Sequence, residues 1–347
     1  MLDDDNVIKQ RDPKGALTFA AMQSQQARFA VHVEHPEHDG RQITKVVVGG
    51  MGGSALAALV AKTWLAAELT VPFEVVRSYD LPYYVDYNTL VIASSYSGNT
   101  EETLSMLKQA QERGAQVATI AAGGKLKEIA DENEIASVTL PSGVPQRMAL
   151  MYGLRALVAI LGHFGVTSFS RFDEISATAD WLASETAQWT ADVPTHKNYA
   201  KQLALLAVGK TPVFYAGTLM APIAYKWKIS WNENAKNVAF WNEYPEFNHN
   251  EFMGWASHPI DKPFAIFDLM SSFENPRITK RFEISDRLLS GKRPKAIPVE
   301  MKGTSVIAQM LYGCILADFA SVYVAILNGV DPVTVGLIEK LKEELAK

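Results

Sequence analysis

The sequence predicts an α/β protein of two units, each with a mostly parallel sheet flanked by helices. Short strands of apolar, β-branched residues alternate with helices in the first part of the chain, a pattern typical of a parallel sheet covered on both faces. The alternation gives way to an almost wholly helical stretch from Gln146 to about Lys210 and then begins again. A length of 347 residues also suits two domains. We therefore predict domains at 1–160 and 161–347.

In the first domain, predicted strands and helices follow one another with few interruptions. The segment TEETLSMLKQAQERG shows the helix signals most clearly, with Thr100 at its start, glutamates in its first turn and Gly114 at its end. The predicted elements are helices at 14–34, 54–69, 100–114 and 125–134, and strands at 45–50, 73–79, 89–98, 116–122 and 136–143.

In the second domain, a helical linker precedes a second set of strands. The segment QRMALMYGLRALVAILGHFG is apolar enough for a buried, domain-spanning helix at 146–165, which begins in the first domain. Asp331-Pro332 opens the final helix, VTVGLIEKLKEEL. The other predicted elements are strands at 211–217, 237–243, 263–270 and 295–301, and helices at 276–290 and 304–329.

Composition excludes several classes of protein. The net charge of -5 gives no basic surface for nucleic acid. No window reaches the roughly 18 uncharged apolar residues of a membrane span, and MLDDDNVIKQ has no apolar signal-peptide core. The single cysteine, Cys314, lies in an apolar run and is expected to be a buried structural thiol. We therefore expect a soluble, cytoplasmic protein.

Glycines follow the first predicted strand, in VVVGGMGGSA. A strand that delivers glycines to a helix start exposes backbone N–H groups and the positive end of the helix dipole to an anion. In one register, Gly50 to Ala55 fits the dinucleotide fingerprint G-x-G-x-x-A, and Arg77 at the end of the second strand would suit a 2′-phosphate. A nicotinamide enzyme therefore remains an alternative on this motif alone.

Hydroxyls cluster after the third predicted strand, in SSYSGNT. Four Ser and Thr side chains occur in these seven residues, whereas N-capping of the next helix accounts for one. Hydroxyls and backbone N–H groups at a helix start suit a compact phosphomonoester, and a dinucleotide does not require this second cluster. The two strand ends together favour a sugar-phosphate pocket. Its predicted residues are Gly52, Gly53, Ser54, Ser95, Ser97 and Thr100.

The motif GGMGGSA, followed about forty residues later by SYSGNTEET, resembles the SIS (sugar isomerase) domain. With PSGVPQRMALMYG, WNENAK, PEFNHNEF and DPVTVGLIEKLK, it resembles the bifunctional phosphoglucose/phosphomannose isomerases over almost the whole chain, about 45–342. The resemblance implies two SIS-type (flavodoxin-like) domains. It also implies an aldose-ketose isomerase that interconverts glucose 6-phosphate, and mannose 6-phosphate as well, with fructose 6-phosphate.

That reaction needs three kinds of group. An acid/base pair opens the sugar ring, a base carries a proton between C1 and C2 through a cis-enediol, and a cation or donor stabilises the negative oxygen. The reaction requires no redox cofactor and no metal, so we expect none.

The resemblance assigns the C1/C2 base to Glu233 in WNENAK. Glu243, Glu246 and Glu251 are nearby alternatives that the residues themselves do not separate. His249, flanked by asparagines in PEFNHNEF, can take and give a proton near neutrality, which suits ring opening. In the relatives this histidine comes from the neighbouring subunit, which implies a homodimer.

Two cations complete the predicted site. The frame from Ile338 to Lys342 matches the catalytic lysine of the family, which assists ring opening, although Lys340 is two residues away. Arg147, at the start of a very apolar helix, requires a partner or a ligand, and the family places an arginine here beside the enediolate.

Tolerance of both C2 epimers depends on space in the pocket. Thr100 or Ser97 would be the local equivalents of a threonine implicated in relatives, and the ring of Tyr96 could narrow the pocket. Two other functions remain alternatives. One is a phosphosugar-binding regulator without catalysis. The other is the isomerase half of an amidotransferase, although the start MLDDDN has no nucleophilic cysteine.

Overall fold

The computed structural model describes residues 1–257 and 262–345 of the chain. These residues form two compact units. The first unit is Met22–Leu182, and the second combines Met1–Ala21 with Ala183–Lys347. The predicted domain limits, 1–160 and 161–347, divide the chain at other points and stay a prediction.

Up to residue 177 the chain alternates between helices and parallel strands. The helices are α1 (Asp5–Arg11), α2 (Ala16–Gln26), α3 (Gly52–Trp64), α4 (Glu101–Glu112), α5 (Gly124–Glu132), α6 (Leu150–His163) and α7 (Ser170–Ala177). The strands are β1 (Lys45–Gly50), β2 (Phe73–Val76), β3 (Thr89–Ser94), β4 (Gln116–Ala121) and β5 (Ala136–Thr139).

From residue 179 onward a second alternation follows a group of helices. The helices are α8 (Ala179–Thr186), α9 (Tyr199–Ala207), α10 (Ala221–Glu233), α11 (Glu251–Gly254), α12 (Pro276–Leu288), α13 (Val306–Asn328) and α14 (Gly336–Leu345). The strands are β6 (Thr211–Gly217), β7 (Phe240–Tyr244), β8 (Phe264–Met270) and β9 (Ile297–Glu300).

The sheet of the first unit has the strand order β2-β1-β3-β4-β5, and all its pairs are parallel. This is the flavodoxin-like order, in which the connections leave β1 and β3 in opposite directions along the sheet. Every residue of β3 is buried, as expected for a strand covered on both faces. The predicted α/β class with a parallel sheet is confirmed.

The sheet of the second unit has the order β7-β6-β8-β9 and is also parallel. Its reversal of connection direction lies between β6 and β8. Beside it, α13 is long and apolar enough to cross a membrane, but 94% of its apolar window is buried inside the protein. It is thus a core helix of this unit. Cys314 lies in it, fully buried as predicted.

The predicted helix at 14–34 is too long, and a shorter helix precedes it. The chain leaves the helix after Gln26, and the carbonyl of Phe29 accepts a hydrogen bond from Arg155 Nε at 2.7 Å. Upstream, Asp4 caps a helix that the prediction did not include, with Oδ1 accepting from Asn6 N at 3.0 Å. After Gln26, the long-range contact between Arg155 and Phe29 thus overrides the local preference of the sequence for helix.

Candidate active site

The glycine loop and the hydroxyl loop meet at the edge of the first unit's sheet. β1 and β3 are hydrogen-bonded neighbours, with Gly50 paired to Ser94 at their carboxyl ends. Ligands of open α/β sheets bind outside the carboxyl ends of the strands, where the connections diverge. The sequence prediction therefore has a topological basis, because both polar segments follow the two strands that flank this point.

Backbone crowding explains the glycines at the end of β1. A Cβ on Gly50 would lie 2.8 Å from the carbonyl oxygen of Ser94, and one on Gly53 would lie 3.0 Å from that of Gln146. Gly52 has a φ of +51°, which disfavours a side chain. These glycines bring the N-terminus of α3, the positive end of its dipole, close to neighbouring backbone.

Hydrogen bonds join the side chains of the two loops. The Ser54 hydroxyl accepts from Tyr96 N at 3.2 Å, which ties the glycine loop to the hydroxyl loop. Within the hydroxyl loop, Ser95 Oγ lies 2.8 Å from Thr100 Oγ1 and 3.5 Å from Ser97 Oγ. The structure thus brings Ser54, Ser95, Ser97 and Thr100 into one group at the sheet edge.

Thr100 occupies the N-cap position of α4, but its side chain makes no capping hydrogen bond. The hydroxyl instead contacts Ser95, so capping does not account for it. Hydroxyl groups can rotate to donate to an anion, and the positive end of the α4 dipole lies beside them. This arrangement can bind a phosphate.

The ring of Tyr96 is fixed against the segment that precedes Arg147. Its hydroxyl donates to Pro141 O at 2.9 Å and accepts from Val144 N at 3.4 Å. Burial raises the pKa of this phenol, so it stays a neutral donor. A cavity of about 10 Å³, lined in part by Gly53, Ser54 and Tyr96, remains beside it, which is room for about one water molecule.

Arg147 lies in a 3-10 turn, Gln146–Met148, directly before α6. Its side chain is buried, and its Cα would contact a Cβ placed on Gly53 at 3.6 Å. The backbone of Arg147 therefore lies against the glycine loop, within the same unit as the hydroxyl group.

The corresponding strand ends of the second unit hold a carboxylate. After β6 and β8, Glu274 Oε2 accepts from Leu219 N at 3.1 Å, and a Cβ on Gly217 would lie 2.1 Å from that oxygen. Burial raises the pKa of the Glu274 carboxyl. A protein side chain thus accepts from a backbone donor at this edge of the second unit's sheet, whereas the corresponding edge of the first unit carries a group of hydroxyls.

The predicted acid/base residues lie on three elements of the second unit. Glu233 is the last residue of α10 and is partly exposed, His249 ends the 3-10 turn Glu246–His249 and is exposed, and Lys342 lies on α14. Lys340 is exposed on the same helix, so the structure leaves the choice between the two lysines open.

A buried polar network fixes the end of α10 against α13. Lys226 Nζ bonds to Asp318 Oδ1 at 2.7 Å, with both side chains fully buried, and Ser230 Oγ donates to the same oxygen at 2.9 Å. One turn further on, Asn234 Nδ2 donates to Ser321 Oγ at 2.8 Å. This network was not predicted. A lysine in the apolar run APIAYKWKISW, spaced four residues from Ser230, was its signal.

The alternative carboxylates differ from one another in their surroundings. Both carboxylate oxygens of Glu251 accept hydrogen bonds, one from the Tyr215 hydroxyl and the other from Asn242 Nδ2 at 2.7 Å. Glu251 therefore has a structural role in holding its segment. Burial raises the pKa of Glu243, and Glu246 and Glu274 add to the rise. Glu246 is exposed. Glu243 thus remains an alternative to Glu233 as the base.

No group of three or more His, Cys, Asp or Glu side chains suited to a metal ion occurs within residues 1–257 and 262–345. The groups assembled at the two strand ends are hydroxyls beside the starts of two helices, and the backbone of the buried Arg147 lies against one of these ends. They suit an anion, which agrees with a sugar phosphate.

Comparisons with known proteins agree with these features. The profile of the bacterial phospho-glucose isomerase C-terminal SIS domain matches residues 196–345, and that of the SIS domain matches 41–143. A structure of a glucose-6-phosphate isomerase like protein from Thermus thermophilus aligns with a TM-score of 0.66 at 18% identity, over 99% of this chain and 98% of that one. The two predicted SIS-type domains are confirmed.

Curated relatives are similar over most of the chain. The bifunctional phosphoglucose/phosphomannose isomerase of Caldicellulosiruptor bescii is 38% identical over 88% of this chain and 90% of that protein. The D-glucosamine-6-phosphate 4-epimerase of Sulfolobus acidocaldarius is 37% identical over 61% of this chain and 64% of that protein. With the SIS domains and the resemblance of its motifs, the first of these shows that the chain belongs to the family of bifunctional phosphoglucose/phosphomannose isomerases.

Proposed function

We propose that the protein is an aldose-ketose isomerase that interconverts glucose 6-phosphate and mannose 6-phosphate with fructose 6-phosphate. The observation that carries the proposal is the hydroxyl group around Ser95 and Thr100, beside the glycine loop at the divergent strand ends. This is a site for a phosphomonoester, and the family supplies the reaction. The phosphate is held by Gly52, Gly53, Ser54, Ser95, Ser97 and Thr100.

The proton transfers are assigned to side chains by the family motifs. Glu233 carries the proton between C1 and C2, since a carboxylate on a rigid helix end can reach both carbons in turn. Arg147 stabilises the negative oxygen of the enediolate, because a fixed guanidinium is most effective where charge develops. His249 and Lys342 move the protons of ring opening. These steps need no cofactor.

A homodimer accompanies this function. His249 is exposed at the end of its 3-10 turn, which supports a role toward a second copy of the chain. In the dimer each subunit supplies His249 to its neighbour. The buried, unreactive Cys314 fits a reducing compartment, and we place the protein in the cytoplasm.

Incubation with fructose 6-phosphate, followed by chromatographic separation of the products, tests the activity. We expect both glucose 6-phosphate and mannose 6-phosphate. Tight binding without any aldose product would instead indicate a phosphosugar-binding regulator. A parallel incubation with glucosamine 6-phosphate covers the chemistry of the epimerase relative, and a C4 epimer as the sole product would overturn the proposal.

Three glutamine variants test the choice of base. Glu233→Gln should lower kcat by about 10²–10⁴-fold with little change in KM, because only proton transfer is lost. Glu243→Gln and Glu246→Gln should retain most of the activity. Full activity in Glu233→Gln together with lost activity in Glu243→Gln would assign the base to Glu243, whose pKa is raised by burial.

A further inference from the structure

A groove in the second unit has a cationic wall. It has a volume of about 250 Å³ and lies between α12 and the segment 248–252. Arg277, Lys280 and Arg281 line it. Within the part of the chain that the structure describes, none of these three side chains forms an ion pair, and no carboxylate lines the groove. The charge of the three cations is therefore available to a ligand.

The acidic residues of α12 lie away from the groove. On a helix of 3.6 residues per turn, Glu283 and Asp286 are more than about 120° around α12 from the middle of the face that lines it. Asp286 Oδ1 also accepts a hydrogen bond from Ala296 N at 3.3 Å. The face of α12 toward the groove is therefore cationic.

The floor of the same groove is apolar. Phe252, Ile284 and Leu288 line it, and Leu288 is 54% exposed. The ring of Phe252 packs edge to face against the ring of Phe247, with 5.8 Å between their centroids, which holds it in place. An aromatic ring beside apolar side chains suits a planar apolar group, and clustered arginines suit phosphate oxygens.

We propose that this groove binds a nucleoside diphosphate. The base would cover Phe252 and the apolar floor, and the two phosphates, with about three negative charges, would meet Arg277, Lys280 and Arg281. A hexose phosphate has no planar apolar part, so the groove differs in ligand class from the site proposed in the first unit. Inorganic phosphate would leave the apolar floor uncovered.

The groove is connected to the segment that carries His249. Arg281 Nη1 donates to Asn248 Oδ1 at 3.0 Å, and Asn248 Nδ2 donates to Ser285 Oγ at 2.9 Å. His249 follows directly but does not line the groove, because successive side chains of a 3-10 turn point about 120° apart. A phosphate bound to Arg281 would compete with Asn248 for its donors. We therefore expect the ligand to lower kcat, a consequence that rests on the proposed function, whereas the binding does not.

Titration calorimetry with ADP, pyrophosphate and adenosine tests the binding. We expect a dissociation constant below about 1 mM for ADP and values at least about tenfold higher for pyrophosphate and for adenosine. Pyrophosphate that binds as tightly as ADP would leave an anion site only and overturn the proposal. ADP should still bind when fructose 6-phosphate saturates the protein. Its displacement by that sugar would place ADP at the strand ends of the first unit instead.

Two matched double variants locate the cations. Arg277→Ala with Lys280→Ala should weaken ADP binding at least about tenfold, because bonds to charged groups are lost. Arg287→Ala with Lys292→Ala removes the same charge from exposed positions outside the groove and should leave the binding unchanged. Equal weakening in both would mean a general effect of charge and would overturn the site.

Phe252→Leu tests the position of the base. The variant keeps an apolar side chain but removes the aromatic face, and stacking of a base on an aromatic ring contributes about tenfold or more to affinity. ADP binding should weaken by about that factor, with pyrophosphate binding unchanged. Unchanged binding of ADP would remove the base from Phe252 and overturn the assignment to a nucleotide.

Kinetics test the connection to His249 and separate it from the proposed function. ADP should lower kcat for fructose 6-phosphate about fivefold or more without raising KM. An unchanged kcat in a chain that binds ADP would overturn the connection. ADP binding in a chain that forms no aldose phosphate would support the groove and reject the isomerase. Isomerase activity in a chain that does not bind ADP would reject the groove and leave the activity standing.

Discussion

The hydroxyl oxygens of Ser95 and Thr100 lie 2.8 Å apart at the carboxyl end of β3. Thr100 stands at the N-cap of α4, but its hydroxyl makes no capping hydrogen bond. Two hydroxyls that satisfy each other in the free protein can both rotate toward an incoming phosphate oxygen. The Ser95–Thr100 contact thus places two hydroxyl donors at the carboxyl end of β3, where the connections of the sheet diverge.

Thr100→Val tests this use of the hydroxyl. The variant keeps the shape of the side chain but removes a donor, and a hydrogen bond to a charged group contributes about 1.5–3 kcal/mol. KM for fructose 6-phosphate should therefore rise about 10–100-fold, with the thermal midpoint almost unchanged. Ser170→Ala, at an exposed position of the same unit, is the control. An unchanged KM would remove Thr100 from the phosphate site.

The phosphate loops were predictable because the signal is local. Gly50 ends β1, Gly53 comes three residues later, and Ser95 directly follows β3. Parallel strands place their carboxyl ends at one edge of the sheet. The sequence does not show directly that Gly50 pairs with Ser94. The alternation of strands and helices implies that β1 and β3 lie in one parallel sheet. The parallel sheet that brings these strand ends together is confirmed, and the assignment of phosphate to them stays a proposal.

Long-range polar contacts were not predictable in the same way. Lys226 and Asp318 are 92 residues apart, and neither has a partner of opposite charge that its own helix sequence would indicate. The bond from Arg155 to the carbonyl of Phe29, which lies just after the end of α2, spans 126 residues. Periodicity describes one helix at a time, so contacts between helices need the folded structure.

Removing one partner of the Lys226–Asp318 pair should be costly. Lys226→Met leaves a fully buried carboxylate with one fewer partner, and breaking such pairs costs about 3–5 kcal/mol. The double variant Lys226→Met with Asp318→Leu should recover most of that loss, since no charge is then stranded. Urea denaturation measures both. A double variant no more stable than the single one would show that the pair itself, rather than the stranded charge, supplies the stability.

Asp268 makes stability depend on pH. Burial raises its pKa to about 7, with nearby Arg293 opposing and Asp286 adding to the rise. The carboxyl holds its proton in the folded chain but loses it near pH 4 when unfolded. Its contribution to the free energy of unfolding is therefore complete below about pH 4. This contribution is lost as the pH rises to about 7, by at most about 1.4 kcal/mol per pH unit.

Asp268→Asn removes this titration. Between about pH 4 and 7, the unfolding free energy of the variant should fall less with rising pH than that of the unchanged chain. Asp180→Asn, which alters an exposed carboxylate, is the matched control and should leave the slope as it is. Identical slopes for Asp268→Asn and the unchanged chain would mean that folding leaves the pKa of Asp268 unchanged.

Mixed dimers test whether His249 acts across the interface. Glu233→Gln and His249→Ala should each be nearly inactive alone. If each site combines Glu233 of one subunit with His249 of the other, a heterodimer of the two variants contains one intact site and one doubly altered site. Random exchange at equal amounts should then restore about a quarter of the unchanged activity.

The opposite arrangement gives a different number. If Glu233 and His249 act within one subunit, every site in the mixture carries one defect, and activity stays at the level of the separate variants. A mixture in which one partner is the double variant Glu233→Gln with His249→Ala controls for exchange, because no combination with a single variant restores an intact site. Recovery in the first mixture and none in the control would establish that His249 is shared between subunits.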